Sequence, residues 1–160
     1  MSTIVLATDG SPSADKAAAT AIDLATATGW PVHVVTVWDV PAYEWGYAPV
    51  GYVPELTDAL HEHAEAVIAA AEQLAIESGV EVTGEVRHGD AAREICAVAL
   101  ERGADLVVVG SHGWGALRRL VFGSVSTAVL HEATCPVLVV RGVTEDERPE
   151  LAGAARAQAS

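Results

Sequence analysis

The hydrophobic pattern of this chain switches repeatedly between two periods, and few folds accept that alternation. Short β-rich runs occupy Thr3–Ala7, Val32–Val37, Val80–Val86, Leu106–Val109 and Val137–Val140. Between them, apolar residues recur at helical steps over Ser13–Thr28, from Pro54 or Glu55 to Ser78, over Ala91–Arg102 and over Val125–Ala133. Gly29, Gly79 and Gly103 stop the first three helices, as expected of residues that accept the left-handed conformation at a helix end. Ser11-Pro12 reads as an N-cap followed by proline at the first helical position. Five strands separated by helices predict a parallel α/β sheet with right-handed crossovers. The alternation of valine with glutamate and threonine over Val80–Val86 predicts a half-exposed edge strand.

Length and charge narrow the class. At 160 residues, with no second core or internal repeat, the chain reads as one domain over residues 1–142. Residues 143–160 form an acidic, then alanine-rich stretch expected to be a flexible tail. No apolar run is long enough to span a bilayer, so no membrane partner is expected. The start of the chain carries no basic segment before its first strand, which predicts a cytoplasmic protein. Cys96 and Cys135 fit reduced thiols better than a disulfide framework. A formal net charge of -13 argues against nucleic acid as a partner, because little cationic surface exists to displace counterions. Arg118-Arg119 is the one adjacent basic pair. It reads either as solubility on a turn or as a local positive spot for an anion.

The chemistry concentrates in two polar turns. Thr8-Asp9-Gly10-Ser11 follows the first strand, and Gly110-Ser111-His112-Gly113 follows the fourth, with Gly123-Ser124-Val125-Ser126 nine residues later. If the strand order is 3-2-1-4-5, both turns open onto the crevice where the order reverses, the usual ligand position in an open α/β sheet. Asp9 can accept hydrogen bonds from ribose hydroxyls or an adenine amino group, or can cap the following helix. Gly110 and Gly113 can let backbone N–H groups face phosphates. Gly123, Ser124 and Ser126 sit where a helix begins and its free N–H groups favour an anion, although Ser124 can equally be an N-cap. His112 can touch phosphate or a metal-bound water, or can be simply a polar loop residue. The long connection Trp38–Val53 holds two of the four tryptophans and all three tyrosines, and reads as a cover for a ligand or partner, or as a loop tucked onto its own sheet. His61 and His63 lie two apart and make a poor metal pair, whereas His61 and Glu65 are spaced for a surface contact. There is no Walker-type Gly-Lys-Ser/Thr, no zinc spacing and no nucleophile beside a base, so no catalytic or metal-binding residue is assigned.

These residues resemble the universal stress protein family over roughly Ile4 to Arg141. The family hallmark Gly-x2-Gly-x9-Gly-Ser/Thr stands here as Gly110-x2-Gly113-x9-Gly123-Ser124. Further matching pieces are Ile4 to Ser11, Leu117 to Leu120 and Cys135 to Val140. The resemblance implies a Rossmann-like (adenine nucleotide α-hydrolase-like) three-layer fold and binding of ATP, ADP or AMP, with or without Mg2+. It implies at most slow ATP hydrolysis, in a nucleotide-responsive regulator of stress. By position, Ala7 and Asp9 would flank the adenosine and Val37 would meet the adenine. Gly110, Ser111, His112 and Gly113, with Gly123, Ser124, Val125 and Ser126, would hold ribose and phosphates. The resemblance also implies a homodimer through the fifth strand, Val137 to Val140. Trp114 departs from the family pattern, which often carries arginine or another polar residue there; its indole could shield the phosphates or crowd them. The competing reading is a protein-interaction module on the same fold that binds no nucleotide.

Overall fold

The computed structural model describes residues 2–39, 54–112 and 122–142. The strands are β1 (Ile4–Ala7), β2 (Val32–Trp38), β3 (Val82–His88), β4 (Leu106–Gly110) and β5 (Val137–Val140). The helices are α1 (Pro12–Thr28), α2 (Pro54–Glu77), α3 (Ala91–Glu101) and α4 (Ser124–Glu132). All strand pairs are parallel, in the order β3-β2-β1-β4-β5. The expected topology is the observed one.

Two apolar layers hold the sheet. Ile4, Leu6, Val32, Val34 and Val108 pack with Ala17, Ala21 and Ile22 of α1 and Ile68, Ala71 and Ala75 of α2. The alternate side chains Val5, Val35, Val107 and Val109 pack with Ile95, Val98 and Ala99 of α3 and Val129 of α4. β1 is buried on both faces, which is why it reads as a continuous apolar run rather than an alternation. Each fully buried valine, leucine or isoleucine contributes about 1.5–3 kcal/mol by leaving water. The alanines of α1 let that helix approach closely. Its start is fixed by Ser11, whose side chain accepts from Ala14 N–H, and its end by Gly29 at φ 73°.

Element ends shift by one or two residues from the sequence expectation, and three of these shifts bear on the site or its surroundings. Trp38 belongs to β2 rather than to the following connection, and its ring lies 4.4 Å from that of His88 and 6.1 Å, edge-on, from that of His61. β3 begins at Val82, because the Val80 N–H is taken by Ala75 O at the end of α2 (2.9 Å). α4 begins at Ser124 with Gly123 as its N-cap, so Ser124 is a first-turn residue and not a cap. The aromatic stretch 40–53, Gly113, Trp114, Arg118, Arg119 and the tail from 143 lie outside the described residues.

A buried imidazole interrupts the apolar face of β2. His33 of β2 is 2 % exposed and lies between Thr83 and Glu85 of β3. Glu85 can only accept, so His33 Nε2–H donates to its Oε1 (2.7 Å), and neutral Nδ1 accepts from the Thr83 hydroxyl (2.7 Å). Burial holds the His33 pKa below its usual value, outweighing the opposite pull of Glu85. Glu85 also receives Arg87 (2.7 Å) and Arg102 (2.9 Å). Burial opposes its ionisation, but the hydrogen bonds from Arg87, Arg102 and His33 prevail and bring its pKa down to about 2.

Candidate functional site

β1 and β4 are neighbours whose chains leave in opposite directions, β1 into α1 and β4 toward α4. Their carboxyl ends therefore cannot be covered by a shared connection, and a crevice of about 450 Å³ opens there.

One wall is the turn after β1. Thr8 N–H stays bonded to Val35 O (3.0 Å), and the Thr36 hydroxyl donates to Thr8 O (2.9 Å). Asp9 Oδ1 accepts from Ser11 N–H (2.9 Å), an Asx turn that leads into α1. Helix capping itself falls to Ser11, so the capping alternative for Asp9 does not hold. Gly10, at φ 72°, takes the backbone conformation that a side chain resists, and a Cβ there would lie 3.0 Å from Val67 Cγ2 of α2.

The opposite wall is the turn after β4. Ser111 N–H donates to Val140 O (2.9 Å), and Gly123 N–H donates to Ser111 O (2.6 Å). The Ser126 hydroxyl bonds the same Ser111 carbonyl (3.2 Å) and Gly123 O (3.1 Å). These bonds fold the start of the glycine motif back onto its end and bring the N-terminus of α4 to the crevice. Among the described residues α4 has no side-chain cap, and first-turn amides have no acceptor within a helix. Ser111 Oγ lies 2.9 Å from His112 Nδ1. The described lining includes no lysine or arginine.

Between the walls, Val35 and Val37 of β2 and Ala91 and Ile95 of α3 make an apolar slot. Ala7, Asp9, Val37, Gly110, Ser111, His112, Gly123, Ser124, Val125 and Ser126 all line this one crevice. Gly113 lies outside the described residues. Sequence reasoning missed Thr8, Ala14, Val35, Ala91, Ile95 and Val109. Val35 was findable, since it lies two residues from Val37 on one strand face. Ala91 and Ile95 required knowing which helix covers that face.

The absence of a side chain at Gly110 answers a packing demand. A Cβ there would lie 2.6 Å from Ser13 Oγ and 2.9 Å from Ala14 N, so glycine admits the N-terminus of α1 against β4. At Gly123 a Cβ would meet Ser111 O at 3.2 Å, inside the bridge that closes the turn. No group of three His, Cys, Asp or Glu among the described residues could hold a metal ion. His61 meets Glu65 at 3.3 Å on an exposed helix face, the expected surface contact.

A parallel sheet covered by helices on both faces, with a crevice at the reversal of strand order, defines the class of open, doubly wound α/β folds. The chain belongs to the universal stress protein family, whose description matches residues 1–141. It is 35 % identical over 138 residues to universal stress protein MJ0531 of Methanocaldococcus jannaschii, covering 86 % of this chain and 81 % of the relative. Universal stress protein UspA from Lactobacillus plantarum superimposes with a TM-score of 0.77 at 26 % identity, over 88 % of this chain and 97 % of its own. A universal stress protein from Archaeoglobus fulgidus in complex with dAMP shares the fold, with a TM-score of 0.63 at 24 % identity over 88 % and 97 % of the two chains.

Proposed function

We propose that the crevice binds an adenine nucleotide, and that the protein is a cytoplasmic, nucleotide-responsive stress regulator with at most slow ATP hydrolysis. One observation carries this reading: a single cavity joins an apolar slot at Val35, Val37, Ala91 and Ile95 to the uncapped N-terminus of α4, with Asp9 on the facing wall. A flat apolar base suits the slot, ribose hydroxyls suit the Asp9 carboxylate, and phosphate suits N–H groups and the positive end of a helix dipole. The dAMP held by the Archaeoglobus fulgidus protein is a ligand of this class. Asp9 is the one carboxylate among the described lining residues, so Mg2+ would arrive with the phosphates rather than sit in a carboxylate cage.

Extraction of small molecules from the purified protein, and titration with ATP with and without Mg2+, test the reading. An adenine nucleotide in the extract or saturable binding below millimolar ATP is expected, the latter corresponding to at least about 4 kcal/mol. No binding at millimolar ATP, with partner capture insensitive to nucleotide, would establish the interaction-module reading instead. Gly123→Val is expected to abolish binding, because its side chain would pry apart the Ser111–Gly123 bridge.

A homodimer through β5 belongs to the same proposal. The two sheet edges differ in kind: β3 carries Glu85 and Arg87, whereas β5 is Val-Leu-Val-Val with each residue half-buried. Charged side chains protect an edge from pairing, and a bare apolar edge invites it. Phe122, Val125 and Leu130 add exposed apolar surface at and before α4.

A further inference from the structure

Ser13 lies in the first turn of α1, is 7 % exposed and does not line the crevice. Its hydroxyl accepts from His112 N–H (3.2 Å) and donates to the carbonyl of the same residue. One side chain thus meets both backbone groups of His112, as a neighbouring strand would. The surroundings are cut to fit it: a Cβ at Gly110 would fall 2.6 Å from Ser13 Oγ, and one at Gly142 would fall 3.0 Å from Ser13 Cβ. Ser11 supports the arrangement from the same helix end, donating to His112 O at 3.2 Å.

We propose that Ser13 is a positioning residue for the phosphate end of the site. It fixes the His112 backbone, and with it the direction of an imidazole already tied to Ser111 Oγ. It also locks that wall to the helix whose preceding turn carries Asp9, so the two walls of the crevice keep one spacing. The inference rests on the nucleotide reading above. Ser13 touches the wall and not the ligand, and its loss acts where the phosphates lie rather than in the apolar slot.

Ser13→Ala tests this, with the affinities for adenosine, AMP and ATP measured by calorimetry. Amide hydrogen exchange at His112 is followed in the nucleotide-free protein. Adenosine affinity is expected to stay within about threefold of the parent, while AMP and ATP weaken about tenfold or more, a difference of roughly 1.4 kcal/mol in the phosphate increment. The His112 amide is expected to exchange about tenfold faster. Ala21→Gly, which loosens the same helix from its buried middle, serves as the control. It is expected to lower thermal stability while leaving the ratio of ATP to adenosine affinity unchanged. Equal loss for adenosine and ATP in Ser13→Ala, unchanged affinities, or unchanged exchange at His112 would overturn the proposal. If the parent binds no adenine nucleotide, the reading of the crevice falls, and the exchange rate alone decides whether Ser13 holds His112.

Discussion

At Gly110 a hydrogen in place of a methyl group decides how near α1 comes to β4. Beyond Ser13 Oγ at 2.6 Å, the obstructing atoms are backbone, Ala14 N and Ser13 C at 2.9 Å, and these cannot swing aside as a side chain can. Gly110→Ala is therefore expected to cost about 1–3 kcal/mol in urea unfolding and to weaken nucleotide binding, because α1 carries the Asp9 turn. Gly29 is the instructive contrast. It lies at φ 73° with nothing within 4 Å of the place a methyl group would take, so Gly29→Ala is expected to lose about 1–2 kcal/mol to left-handed strain alone, with binding intact. Asp9→Asn separates turn from charge. An asparagine oxygen can still accept from Ser11 N–H, so the turn survives, while the charged acceptor proposed for ribose disappears. Affinity for adenosine is expected to fall about tenfold with little change in melting temperature.

The β2–β3 pair shows how an element can be legible in type and illegible in extent. Alternating valines announce an edge strand, but a pattern cannot reveal that Val80 is committed to the end of α2 by its N–H. Nor does it show that the ladder runs on through Arg87 and His88, opposite Val37 and Trp38. Likewise Asp9 and the glycine motif stood out as polar turns, whereas Ser13 read as one more helix residue. Its partner His112 is 99 positions away, and only the packing of α1 on β4 brings them together. The His33–Glu85 cluster has the same long-range character and makes the pair sensitive to acid. His33 has a folded pKa below its unfolded value, so the unfolded chain binds its proton first, and stability falls as pH drops below about 6.5. Glu85, lowered from 4.5 to about 2, adds a second loss between those values. Both act in one direction, so unfolding free energy is expected to decline from pH 7 to pH 3. Glu85→Gln is expected to destabilise the fold at pH 7 by about 1–3 kcal/mol and to flatten the lower part of that decline, as read by denaturant titration at each pH.

At the scale of the whole molecule, the ladder geometry of β5 specifies a clean test of assembly. Val107 N–H and Ser111 N–H donate to Pro136 O and Val140 O, so Pro136, Leu138 and Val140 turn their backbone groups toward β4. The backbone groups of Val137 and Val139 then point away from the sheet. Val139→Pro removes an outward donor while sparing the β4 ladder, and is expected to convert a dimer to a folded monomer by analytical ultracentrifugation. An unchanged sedimentation coefficient would place the contact elsewhere. The charged rim at Glu85 and Arg87 has a consequence for growth as well as for pairing. A sheet that could recruit a neighbour on both flanks would extend without limit. In the proposed dimer, union of two copies through β5 would consume the apolar flank of each and leave only charged flanks outside, so assembly would stop at two rather than run on as a filament.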